Sequence, residues 1–239
     1  MLNIEVTQFP GGIGNQKDNS VMNSLPVPGP NVSLSVQDFS MGEDYASVYN
    51  ATVIGAGAAL TNPFSVSGIL RGVTVGAATD GLKLAANLGS DDDAFQFVVG
   101  KEVWFGARVN SDDILDTIYL LGFIPEAATV APADGVFFRK ADASLDLEIV
   151  SRNTGVEVAT VIGQLAPSTD YELAFYYDGI DKVAAQFTGP DGVIGGGGTV
   201  LPGALLPAVG LQPSVVFSRG AVAAATTVDL DYVLFGGSR

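Results

Sequence analysis

Asp142, Ser144, Asp146 and Glu148 alternate along one predicted strand, so their side chains are expected to share a face. Carboxylates spaced like this are the raw material of a retaining glycosidase, which needs an acid and a nucleophile in an order such as Glu-x-Asp-x-Glu. Ser144 stands two residues before Asp146, where the first carboxylate would have to be, and so leaves no nucleophile in register. The chain also has no histidine and no cysteine. It therefore lacks the usual proton shuttle near neutral pH, any thiolate and the commonest transition-metal ligands. A non-enzymatic protein is expected, with no catalytic residue and no cofactor.

Two further acidic runs, Asp91-Asp92-Asp93 and Asp112-Asp113, supply oxygen ligands of the kind calcium prefers. Neither has the Asp-x-Asp-x-Asp-Gly spacing that wraps one ion, so they read as acidic turns and no metal is expected. Gly195 to Gly198 is followed by no Lys-Ser/Thr, and GAGAAL from Gly55 sits in no strand–helix–strand alternation. Both read as loops or close-packing strand positions and not as phosphate or dinucleotide loops.

The single tryptophan, Trp104, lies in KEVWFGARVN, where Val103, Phe105, Ala107 and Val109 share one face and Glu102, Trp104 and Arg108 the other. Adjacent strands are expected to bring Arg139, Asp146 and Glu148 onto the same sheet. An aromatic ring among polar groups fits three roles: intramolecular packing under a further layer, a protein interface, or a glycan platform.

The elements that must position these residues are strands. From about Ala46 onward, short stretches such as GILRGVTVG, AFQFVVG, TIYLLGFI, GVFFRKA, SLDLEIVSR and YELAFYYD alternate apolar and polar residues. Asp80-Gly81, Asp134-Gly135, Asp178-Gly179 and Gly189-Pro190-Asp191-Gly192 provide turns between them. The fold class expected is all-β, an antiparallel β-sandwich or jelly roll over residues 46–239, each strand with one apolar and one polar face. Residues 1–45, rich in Gly, Pro and Asn, cannot build a core of their own. They read either as a loose terminus or as an extended arm that lies along a neighbouring subunit through Ile4, Phe9, Ile13 and Leu25.

The net charge of −15, from 26 acidic and 11 basic residues, repels phosphate backbones and anionic lipid, so neither nucleic acid nor membrane is an expected partner. No apolar run approaches the roughly 20 residues of a membrane span. The first residues lack a basic n-region and an apolar h-region, so Sec-type export is not expected and synthesis in a cytoplasm is.

The succession WFGARVN, DGVFFRKADASLDLEIVSRNTG, YELAFYYDG, FTGPDGVIG and VDLDYVLFG resembles tailed-bacteriophage head-decoration or minor capsid proteins across roughly residues 100–239. The resemblance implies a lectin-like sandwich that decorates and cements a capsid by binding the major capsid protein. With it comes an expected homotrimer at shell three-fold positions, and the acidic charge favours the capsid exterior over a DNA-filled interior. A lectin-like glycan or host-receptor module of a phage particle is the alternative.

Overall fold

The computed structural model describes residues 32–39, 49–61, 69–75, 77–78, 80–86, 95–125, 129–190, 194–202, 205–221 and 225–238. Fifteen strands are found in them, numbered in chain order, and no α-helix. One sheet runs β13 (Ile194–Pro202), β12 (Lys182–Thr188), β11 (Tyr171–Tyr177), β6 (Val103–Ser111), β15 (Thr226–Ser238), β4 (Leu70–Thr74), β3 (Ala58–Thr61). An eighth strand, β1 (Val32–Asp38), pairs with β15 alongside β4. The other sheet runs β10 (Val156–Gln164), β9 (Asp146–Asn153), β8 (Gly135–Lys140), β7 (Thr117–Ile124), β14 (Gln212–Arg219), β5 (Gly81–Ala86), β2 (Tyr49–Ile54). All pairings are antiparallel, which makes the protein the all-β antiparallel sandwich that its strand pattern predicts.

The core between the sheets is aromatic. Phe175 of β11 stacks on Phe105 of β6 at 5.5 Å and meets Phe123 of β7 and Phe138 of β8 at 6.0 and 5.6 Å. The alternation read in β6 and β11 holds, since Val103, Phe105, Ala107, Val109, Tyr171, Leu173, Phe175 and Tyr177 all enter this core. Gly72 of β4 faces Phe217 of β14 so closely that a Cβ there would sit 1.9 Å from the ring, which lets the two sheets approach.

Three expectations need correction. Val32, Leu34 and Val36 alternate with polar residues, and this segment pairs with β15 instead of belonging to an arm, so the sandwich begins before residue 46. Residues 1–31, with Ile4, Phe9, Ile13 and Leu25, lie outside the described residues. AFQFVVG contributes a single bridge, Phe95 to Leu211, and no strand. Finally, the outer faces are not uniformly polar. Leu120, Ile124, Phe137, Val150 and Val216 form a buried cluster outside one sheet, and Ala174, Tyr232 and Leu234, with Leu34 and Val36, form one outside the other.

At one end of the sandwich the inward row of β8 finishes on a lysine, following Val136 and Phe138. The Lys140 side chain is 0% exposed and donates to the carbonyls of Thr117 and Leu115 at 2.5 and 3.3 Å. Burial pushes its ammonium down to about 8 from 10.5, against the opposing pull of Asp142, Asp113 and Asp116. Between those two values the unfolded chain holds a proton that the folded chain has lost, so this group adds stability as pH rises. Burial also raises the hydroxyls of Tyr49 and Tyr119, which lowers stability once pH passes 10. Thermal melts from pH 7 to 10 are therefore expected to show the wild type gaining on Lys140→Met, by at most about 1.4 kcal/mol per pH unit. Parallel curves would contradict this role for Lys140.

Candidate functional site

The outer face of the eight-stranded sheet divides in two. Trp104 and Gly106 of β6 occupy its apolar half. Tyr176 stacks on Trp104 at 5.4 Å and 27°, and its hydroxyl donates to Glu102 at 2.8 Å. Ala174 and Leu234 flank Gly106 in register. Trp104 is 2% exposed, so its ring is packing within the chain and offers no free face to a sugar or a partner.

The next outward residues of β6, Arg108 and Asn110, open the polar half. Arg108 donates to Asp231 and Asp170 at 3.0 Å each, and Asn110 donates to Asp170 at 2.7 Å. Arg71 of β4 grips Asp229 with two bonds of 2.7 Å. With Ile69 and Val109, the residues Arg108, Asn110, Asp170, Asp229 and Asp231 line a recess of about 180 Å³. A bulge in β15 builds it: the register with β6 shifts between Leu230 and Tyr232, so Asp231 is the extra residue and Tyr232 turns outward opposite Arg108. Burial raises the carboxyl of the neighbouring Glu172 above its ordinary value, with Arg108 opposing.

The polar residues expected beside Trp104 lie elsewhere. Arg139 is on β8, and Asp146 and Glu148 are on β9, in the seven-stranded sheet, because the chain crosses between sheets in the 112–116 loop. The structure joins Trp104 and Arg108 on one outer face and Arg139 and Glu148 on the opposite one. There Arg139 bonds Glu148 and Glu157 at 2.8 Å, and Arg152 bonds Glu157 at 2.5 Å. The Arg139 and Arg152 guanidiniums hold the Glu157 carboxyl below its usual range, with burial opposing. Asp146 accepts from Gln164 at 3.0 Å.

Asp142 and Ser144 precede β9 in a turn, so the four-residue alternation is not a strand face. The Asp142 carboxylate accepts the N–H of Ala221 at 3.2 Å, and Ser144 accepts that of Asp146 at 3.0 Å. Asp112 and Asp113 likewise accept backbone N–H groups, from Thr227 and from Leu115 and Asp116. Among the described residues no group of three carboxylates is placed to hold a metal ion. Asp91 to Asp93 lie outside those residues.

Sequence reasoning missed Arg71, Asn110, Asp170, Asp229 and Asp231. The spacing of Asp229 and Asp231 between Val228, Leu230 and Tyr232 was the available signal, since it marks acids on the outward face of an otherwise apolar strand.

No protein-family model matches the chain, and no curated protein matches it. Solved structures do. A protein of unknown function from Shewanella oneidensis MR-1 superposes with a TM-score of 0.62 at 14% identity, over 91% of each chain. Peanut lectin does so at 0.58 and 12%, over 86% of this chain and 97% of the lectin. The CBM2 module of the evolved Dit of Lactobacillus casei BL23 phage J-1 gives 0.53 and 11%, over 86% of this chain and 96% of the module. The chain is similar to these in fold.

Since Trp104 is core, Trp104→Ala is expected to cost roughly 3–5 kcal/mol in urea unfolding. A loss below about 1 kcal/mol would mean that the ring is not packed as described.

Proposed function

We propose that the chain is a non-enzymatic structural protein of a phage particle, decorating and stabilising the outer capsid surface by binding the major capsid protein. The observation that carries this reading is the engagement of its carboxylates. Glu148 and Glu157 are tied to arginines, Asp229 to Arg71, Asp170 to Arg108, and Asp112, Asp113 and Asp142 to backbone N–H groups. Acids committed in this way rigidify surfaces and loops, which suits a binding scaffold better than general acid–base chemistry. The resemblance of residues 100–239 to phage head-decoration proteins supports the capsid, and the net charge of −15 supports its exterior.

Glycan or host-receptor binding is the second reading, and the recess at Arg108 favours it. Amide and carboxylate groups side by side at a shallow depression match the hydroxyl pairs of a sugar.

Cryo-EM of virions is expected to find many copies of the sandwich on the outer shell. Density confined to the interior, or a handful of copies per particle, would overturn the decoration role. A chain lacking residues 1–31 retains β1 and is expected to fold while losing attachment to the shell; retained attachment would remove the clamping role of that segment. Glycan-array binding that falls at least tenfold in Asn110→Ala, without shell attachment, would establish the second reading instead.

A further inference from the structure

The two ends of the sandwich differ in charge and in what they expose. At one end β6 begins at Val103, opposite Tyr177 of β11 and Gly237 of β15, and four turns gather there. The turn before β6 meets the β11–β12 hairpin, where the Gly100 N–H donates to the Gly179 carbonyl at 2.7 Å. Residues 205–211 run from β9, whose Ser151 and Asn153 donate to the carbonyls of Leu205 and Leu206, to Phe95, which exchanges two backbone bonds with Leu211 and lies against Gly237. Each turn carries an exposed aliphatic side chain: Val99, Ile180, Val156 of the β9–β10 hairpin, and Val209. Val99 and Ile180, at 79% and 66%, are the most exposed large hydrophobic residues among those described.

The Ile180 tip is held in place. The Asp178 carboxylate accepts the N–H groups of Ile180, Asp181 and Lys182, and the Tyr177 hydroxyl donates to the Ile180 carbonyl at 3.3 Å. A side chain fixed outward in this way loses little further freedom when a partner covers it. The four turns, residues 95–101, 153–156, 178–182 and 205–211, contain two lysines and two aspartates, a net charge of zero. The opposite end is acidic. Its loops 112–116, 141–145 and 165–170, joined by bonds from Ala143 to Leu115 and from Ser168 to Ser111, carry Asp112, Asp113, Asp116, Asp142 and Asp170 and no lysine or arginine.

On the basis of the capsid reading, we infer that the uncharged end is the face seated on the shell, with Val99 and Ile180 entering apolar depressions of the major capsid protein and the acidic end turned to solvent. The course of the chain names the occupant. Val32 opens β1 opposite Ser238, whose N–H donates to Glu102 at 2.9 Å, so residues 1–31 join the sandwich at this end. A segment that clamps the shell from there draws the same end onto it, and two weak contacts on one chain reinforce each other through effective concentration. Exposed apolar side chains grouped on one surface mark a protein contact, and a surface without net charge meets the shell without like-charge repulsion. A second copy or an anionic lipid surface would instead face the repulsion of a chain of −15.

Re-attachment of the full chain to virions stripped of it supplies the test. Val99→Asp combined with Ile180→Asp is expected to weaken attachment at least tenfold, with residues 1–31 intact and an unchanged circular dichroism spectrum. Leu115→Asp, exposed at the acidic end, is expected to leave attachment unchanged. Amide exchange of residues 98–101 and 178–182 should slow on the virion, and that of residues 112–116 should not. A wild type that does not attach defeats the capsid reading and this placement with it. A wild type that attaches while the double variant attaches equally, an equal loss in Leu115→Asp, or protection confined to the acidic end would overturn the placement alone. Binding to phosphatidylcholine vesicles, or self-association in sedimentation velocity, that the double variant abolishes would assign these side chains to another partner and overturn it as well.

Discussion

Phe175 of one sheet reaches Phe123 and Phe138 of the other, and this aromatic junction sets how the sandwich closes. Aromatic rings bury large areas and add edge and offset contacts to the hydrophobic gain, so a cluster that also includes Phe97 and Phe105 holds the two sheets in one alignment. Residues on the outer faces depend on that alignment at one remove. The strand that sends Phe105 inward sends Trp104 and Arg108 outward, and the strand that sends Phe175 inward stacks Tyr176 on Trp104. The neighbouring closeness at Gly72 and Phe217 shows how little room the interface leaves.

Local alternation made much of this legible. The inward rows of β6 and β11 could be read residue by residue, because a strand with a period of two and one apolar face has only one sensible register. What could not be read was non-local. β5 and β14 are buried on both faces, so their outward residues carry no polar signal of exposure. Alternation placed Trp104 opposite the core row and left its role open among packing, interface and glycan platform, and only the burial of that outer face decides for packing. The bulge at Asp231 shifts the parity of β15 by one residue, so Tyr232 moves to the outer face and Asp231 joins the recess. Whether Arg139 and Glu148 share a sheet with Trp104 depended on where the chain crosses between layers, and strand spacing carries no information about that.

The acidic composition also acquires a structural meaning. Asp80 accepts from Ala56 and Ala77, Asp112 from Thr227, Asp134 from Thr154 and Asp142 from Ala221. Most of these bonds join segments distant in sequence, so the carboxylates fasten one loop to the next. Asp178 caps its own hairpin: burial works against its charge, but the N–H groups of Ile180, Lys182 and Asp181 hold its carboxyl below the usual range. Gly179, at a φ of 70°, supplies the backbone conformation that this turn requires. Part of the negative charge thus fixes connections between strands.

The positions of β14 and β15 impose an order on the birth of the molecule. β15 lies between β6 and the pair β4 and β1, and β14 lies between β7 and β5, so each sheet has a late strand near its middle. A ribosome that has made everything up to β13 has produced two sheets with their centres missing, whose flanking strands have exposed edges and unburied apolar faces. Strands separated by more than a hundred residues must then wait for one another, which favours slow, late collapse and gives chaperones a long window in which to act.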